Sequence, residues 1–114
     1  MEIKLIETKE QFDDVIENSE KFFLFKHSLT CPISASAKEE FEKYSQESVI
    51  PCYMIHVQDA RKLSNTIVQD FAVKHESPQA LLFNGKSVGW HESHQNITNA
   101  SLSKAVEYAG DDLP

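Results

Sequence analysis

The sequence predicts an α/β fold, a mixed central sheet with helices on both faces. Three observations predict it. Short apolar runs alternate with amphipathic helical stretches along the chain. The early runs are continuous, as in strands buried on both faces of a parallel arrangement. The last two strand-like runs are separated only by a turn dipeptide and must therefore pair antiparallel.

The elements follow in order. A weak strand is expected in the alternating stretch Met1 to Glu7. Thr8-Lys9-Glu10-Gln11 has the capping-box pattern, with Phe12, Val15 and Ile16 on one helical face behind it. Phe22-Phe23-Leu24-Phe25 reads as a buried strand. Cys31-Pro32 then opens a helix to about Gln46, with Pro32 at its first position and Ile33, Ala37, Phe41 and Tyr44 along one side. Val49 to Val57 reads as a second buried strand, with Pro51 tolerable near its start. Asp59 is the expected cap of a third helix carrying Leu63, Ile67 and Phe71. Ala80 to Phe83, Asn84-Gly85 and Ser87 to His91 form a hairpin signal. Thr98 or Asn99 starts a last helix with Leu102, Ala105, Val106 and Ala109 buried, and Gly110 is its expected stop. Any βαβ crossover in this order must be right-handed. No linker, repeat or low-complexity segment interrupts it, so residues 1–114 are expected to form one domain.

Composition narrows the function. The 114 residues carry a formal charge of −7, which argues against a nucleic-acid groove or an anionic membrane surface. Apolar runs reach four or five residues, far short of the roughly 20 that span a bilayer. Met1 to Glu7 alternates charged and apolar residues and lacks the core of a secretory signal. Two cysteines do not make a disulfide scaffold. The expectation is a protein of a reducing cytoplasm.

Cys31 carries the chemistry. It stands between the end of a buried strand and the start of a helix, the edge where open α/β sheets bind ligands. Unpaired N–H groups and the partial positive charge of the helix N-terminus favour thiolate over thiol there. Lys26 and His27, just upstream, are candidate sources of further positive potential. The alternative role for Cys31 is that of a small buried hydrophobe.

The element order matches the thioredoxin-like fold. Redox proteins of that fold usually carry Cys-x-x-Cys, whose second thiol resolves the mixed disulfide formed by the first. Here Ser34 occupies that position, so the expected chemistry is one-thiol exchange completed by an external thiol. Cys52 is expected to be core, nearly a strand length from Cys31 and beyond the roughly 7 Å that a disulfide tolerates between Cα atoms.

Phe25-Lys-His-Ser-Leu-Thr-Cys-Pro-Ile-Ser34, followed by Ser77-Pro78, resembles the monothiol bacilliredoxins of bacillithiol-using Firmicutes. Thr30 to Ser34 is the most diagnostic run, and Asn84-Gly85 and Gly89 continue the likeness. The resemblance implies that Cys31 is the active thiol, and that Thr30, Pro32, Ser34, Ser77 and Pro78 border the bound thiol partner. It implies a cis Ser77-Pro78 bond facing Cys31. The implied activity is removal of bacillithiol from mixed disulfides on client proteins, with bacillithiol as substrate and no resident cofactor. The run is also similar to glutaredoxins around Thr30-Cys31-Pro32. Pro32-Ile33-Ser34 departs from the Gly-Phe-Ser of cluster-holding monothiol glutaredoxins, so cluster binding is not expected. The competing class is a non-catalytic thioredoxin-fold module that docks a partner beside Pro78.

Other features are expected to be inert. His91-Glu92-Ser93-His94 lacks further metal ligands and reads as a solvated strand end. Asn96-Ile97-Thr98 and Asn99-Ala100-Ser101 match glycosylation acceptors, which a cytoplasmic chain never presents to the enzyme. Asp13, Asp14, Glu17 and Glu20 read as the wet face of the first helix, and Asp111-Asp112 as a frayed tail.

Overall fold

A computed structural model describes the backbone of residues 2–111 and the side chains of residues 2–107. The elements are β1 (Ile3–Leu5), α1 (Lys9–Asn18), β2 (Lys21–His27), α2 (Pro32–Glu47), β3 (Cys52–His56), α3 (Arg61–Phe71), β4 (Gln79–Asn84), β5 (Ser87–Ser93), a 3₁₀ turn (His94–Asn96) and α4 (Asn99–Asp111). The sheet order is β1-β3-β2-β4-β5. β1 and β2 both lie parallel to β3, while β4 runs antiparallel to β2 and β5.

Strand alternation sorts β2 onto two cores. Phe23 and Phe25 face α2 and α4, packing with Phe41, Tyr44, Met54, Leu82 and Leu102. Phe22 and Leu24 face α1 and α3, packing with Phe12, Ile55, Leu63, Ile67 and Phe83. Phe22 and Phe83 are cross-strand partners whose rings stack at 4.6 Å. β2 is thus central in the sheet and buried on both faces, as its unbroken apolar run predicts.

The Thr8 capping box forms completely, with Thr8 Oγ1 accepting from Gln11 N and Gln11 Oε1 accepting from Thr8 N. Asp14, Glu17 and Glu20 are exposed as expected, and Asp13 is half-buried beside Lys9. Several boundaries differ from expectation. The second strand starts at Cys52, not Val49, because the Ser48 hydroxyl turns the chain by bonding both N and O of Ile50, leaving Val49 exposed. Asp59 does not cap the third helix. Its N–H and that of Ala60 both donate to His56 O, and this turn makes Ala60 the cap residue without a side-chain bond. In the hairpin Asn84 pairs with Ser87, so the turn residues are Gly85 and Lys86, with Gly85 at φ +63°. Gly89 falls at the register shift between Leu82 and Phe83, a β-bulge.

Thr98 and Ser101 cap α4 reciprocally, each hydroxyl accepting the other's N–H, which gives these motif residues a structural role. The Asn99 N–H donates to Glu40, tying α4 to α2 and holding that carboxyl below its usual range. α4 runs through Gly110 to Asp111, so Gly110 is not its stop and Asp111 belongs to the helix, not to a frayed tail; the expected burial of Ala109 lies outside the described side chains, and Asp112 outside the described residues. Among the described residues no helix is long and apolar enough to cross a membrane.

Candidate functional site

The carboxyl ends of β2 and β3 meet one edge of the sheet, where His27 pairs with His56. β4 begins at that edge, Gln79 opposite Lys26, which brings Ser77-Pro78 to the side of the sheet from which the 28–31 loop emerges. The Ser77-Pro78 bond is cis, as the resemblance implies. Pro78 O accepts from His94 N, and His94 Nε2 lies 3.3 Å from Glu76, so the turn after β5 braces the proline loop. His94 therefore has a partner, while His91 is exposed on β5. Among the described residues no group of three or more His, Cys, Asp or Glu could hold a metal ion.

Cys31 is the N-cap of α2, with extended backbone (φ −103°, ψ 122°), and its side chain makes no cap bond. Pro32 occupies the first turn, as predicted. The thiol is half-buried, flanked by exposed Thr30, Pro32 and Ile33. An exposed Leu29 completes an apolar rim. Ile33 therefore lies outside the core, although Ala37, Phe41 and Tyr44 line the buried face of α2 as expected.

Ser34 is fully buried one helical turn from Cys31. Its hydroxyl accepts from Ser28 N at 2.9 Å and stands 2.8 Å from His27 Nδ1. The His27 ring stacks on Phe25, and burial, with Lys38 and His56 adding repulsion, holds it below the ordinary imidazole value. His27 is thus neutral at pH 7. Lys26 points to the other face of the sheet, fully buried, its Nζ 3.5 Å from Ser64 O and from His75 Nδ1. Neither residue supplies the positive potential expected of it beside Cys31. The N-terminus of α2 is the remaining source.

Cys52 is buried, donates to Ile50 O, and has its thiol pushed up by burial. It pairs with Phe23, four residues before His27 and about 13 Å back along the strand. Both cysteines are free.

Gln58 was not anticipated. Just beyond β3, its Oε1 accepts from Leu29 N at 3.1 Å and its Nε2 donates to the hydroxyls of Ser28 at 3.0 Å and Thr30 at 3.4 Å. One side chain therefore fixes the three residues before Cys31. The only sequence signal is a polar residue after the carboxyl end of a parallel strand.

The arrangement offers one accessible thiol at a helix start, a rigid loop before it, and a serine where a resolving thiol would stand. The monothiol bacilliredoxin family, described as "Monothiol bacilliredoxin BrxC", matches residues 4–102. The chain belongs to this family. Among solved structures, a protein described as having a thioredoxin fold superposes on this bacilliredoxin with a TM-score of 0.87 at 39% identity, covering 91% of this chain and 93% of that one. Reduced thioredoxin of Schistosoma mansoni superposes with a TM-score of 0.78 at 7% identity, covering 94% and 97% of the two chains. Oxidised thioredoxin of Plasmodium falciparum does so with 0.75 at 12% identity, covering 95% and 98%. At those identities the thioredoxins share the fold, and this bacilliredoxin has it.

Proposed function

We propose that the protein is a thiol–disulfide oxidoreductase that removes bacillithiol from mixed disulfides on client proteins in a reducing cytoplasm. The observation that carries this reading is Cys31, an uncapped and half-exposed residue at the start of α2, with Ser34 in place of a second thiol. Membership of the bacilliredoxin family supports it.

The Cys31 thiolate attacks the bacillithiol-side sulfur of the mixed disulfide. The client thiolate leaves, and a Cys31–bacillithiol disulfide remains, so the exchange conserves both electrons and sulfur bonds. Attack on the client sulfur would instead leave the enzyme bound to its client. Thr30, Pro32, Ser77 and Pro78 border the incoming disulfide, with the Ser77 backbone aligning it. Ser34 carries no sulfur to expel the adduct and Cys52 is out of reach. A second low-molecular-weight thiol or a separate reductase therefore completes the cycle.

Reduced protein mixed with a bacillithiolated client tests this in single turnover. Mass spectrometry is expected to find the adduct on Cys31, none in Cys31→Ala, and normal transfer in Cys52→Ala. Transfer that survives loss of Cys31 overturns the reading.

A further inference from the structure

A cavity of about 350 Å³ opens on the α3 side of the same sheet edge, reaching from Ser28 to Ser77. Arg61, Ser64 and Asn65 line it from one face of α3, and His75 lines it from the loop before Pro78. Among the described residues no carboxylate lines it. Behind the Ser64 and His75 walls lies the Lys26 ammonium, fully buried and without an acidic partner among the described residues. The Ser77 hydroxyl is buried and makes no hydrogen bond. Glu76, the acidic neighbour of this loop, is held by His94.

Each of these features is costly unless something negative enters. A buried cation with only two long contacts to neutral groups is poorly compensated, and an orphaned buried hydroxyl forfeits a hydrogen bond. The chain as a whole carries −7, so this cationic hollow stands against a repulsive background. It adjoins the loop that carries Cys31: Ser28 lines it, and Gln58, another wall residue, bonds Thr30. We propose that the cavity receives a carboxylate of the small thiol that becomes joined to Cys31, making the enzyme selective for carboxylate-bearing low-molecular-weight thiols. Arg61 meets the carboxylate at the mouth, the Ser77 hydroxyl donates to it, and Lys26 supplies charge from behind. The inference rests on the exchange reaction proposed above.

Two measurements test it. In the first, Cys31→Ser protein labelled with ¹⁵N is titrated with succinate and, at matched ionic strength, with neutral succinamide. Saturating shifts at residues 61–65 and 75–77 with succinate alone are expected. In the second, reduced protein reacts in single turnover with dithiodipropionate, hydroxyethyl disulfide or cystamine, each rate divided by that of 2-mercaptoethanol. Cys31 displaces half of each disulfide as thiolate. The normalised rate is expected to be about tenfold higher for the carboxylate disulfide than for the neutral one. Arg61→Gln and Lys26→Met are each expected to remove most of that preference and leave the neutral rate unchanged. Equal normalised rates, a preference that survives both variants, or succinate shifts elsewhere overturn the cavity assignment. Should Lys26→Met fail to fold, Arg61→Gln on the exposed rim decides alone. Failure of Cys31 to react with any disulfide counts against the exchange reaction, and the succinate titration then judges the cavity separately.

Discussion

The Ser34 hydroxyl bridges His27 and the loop before Cys31, 2.8 Å from His27 Nδ1 and 2.9 Å from Ser28 N. Because the oxygen already accepts from Ser28, its own hydrogen is free for a neutral His27 Nδ1. The serine at the resolving position is therefore a fully buried strut between β2 and α2 as well as a missing thiol. Ser34→Ala strands the buried His27 Nδ1 and the half-buried Ser28 N–H. The expected loss is about 1–3 kcal/mol in urea denaturation. A variant as stable as the parent would show that the bridge contributes nothing.

Restoring sulfur at this position tests the register of α2 directly. Residues 31 and 34 lie one helical turn apart at the start of the helix, so Ser34→Cys is expected to form an intramolecular disulfide under mild oxidant. Free-thiol titration is then expected to fall to the buried Cys52 alone, while the parent retains Cys31. If the variant keeps all its thiols, the two positions do not face each other.

Much of this was legible from local chemistry. The Phe22–Phe25 run, the Thr8 capping box, Pro32 at a helix start and the hairpin before Gly89 each specify their structure within a few residues. What was not legible depends on residues far apart in sequence. Lys26 reads as a source of positive potential beside Cys31, yet its contacts, Ser64 and His75, are 38 and 49 positions away. Gln58 reaches 29 positions back to Leu29. Asp59 has the right chemistry for a cap, but a turn closed by His56 O moved the helix start one residue beyond it.

Acid is expected to destabilise the protein through two imidazoles whose charged forms the fold disfavours. Burial lowers the pKa of both His27 and His75 from 6.5, with Lys38 and His56 adding to the first and Lys26 to the second. Unfolded histidine binds protons at a higher pH than either folded group, so unfolding takes up protons as pH falls. The stability they contribute is full above pH 6.5 and lost as pH falls through the folded values. Denaturation midpoints between pH 7 and 5 are expected to track NMR titration of these two rings, and His27→Gln is expected to flatten the slope. An unchanged slope in that variant would assign the acid sensitivity elsewhere.

The end of α3 carries a correctable strain. Ala72 follows Phe71 in the left-handed conformation, φ 56° and ψ 37°, where a Cβ crowds the carbonyl oxygen. Its side chain is exposed, so Ala72→Gly gives up little packing. The expected gain is about 0.5–1 kcal/mol, net of the extra freedom glycine has when unfolded. Gly85 at φ +63° is the mirror experiment, and Gly85→Ala is expected to lose a similar amount. Shifts of the same sign in thermal melts would show that backbone conformation is not what these positions sense.

Lys26 gives the sharpest separation of stability from function. Burial pulls its pKa from 10.5 to about 8, so at neutral pH the folded protein holds a charge that the interior disfavours. Between pH 8 and 10.5 the unfolded lysine still binds a proton that the folded one has released, and stability must rise with pH across that window. The penalty is full below pH 8, up to about 3 kcal/mol by the shift, and gone above 10.5. Methionine has a similar length and no charge. Lys26→Met is expected to gain about 1–3 kcal/mol at pH 7 and to lose the alkaline rise. The same variant is expected to lose its preference for carboxylate-bearing disulfides. Opposite effects on the two readouts are what a cation kept for binding demands. A variant that loses stability instead would make Lys26 a structural tie between β2, Ser64 and His75.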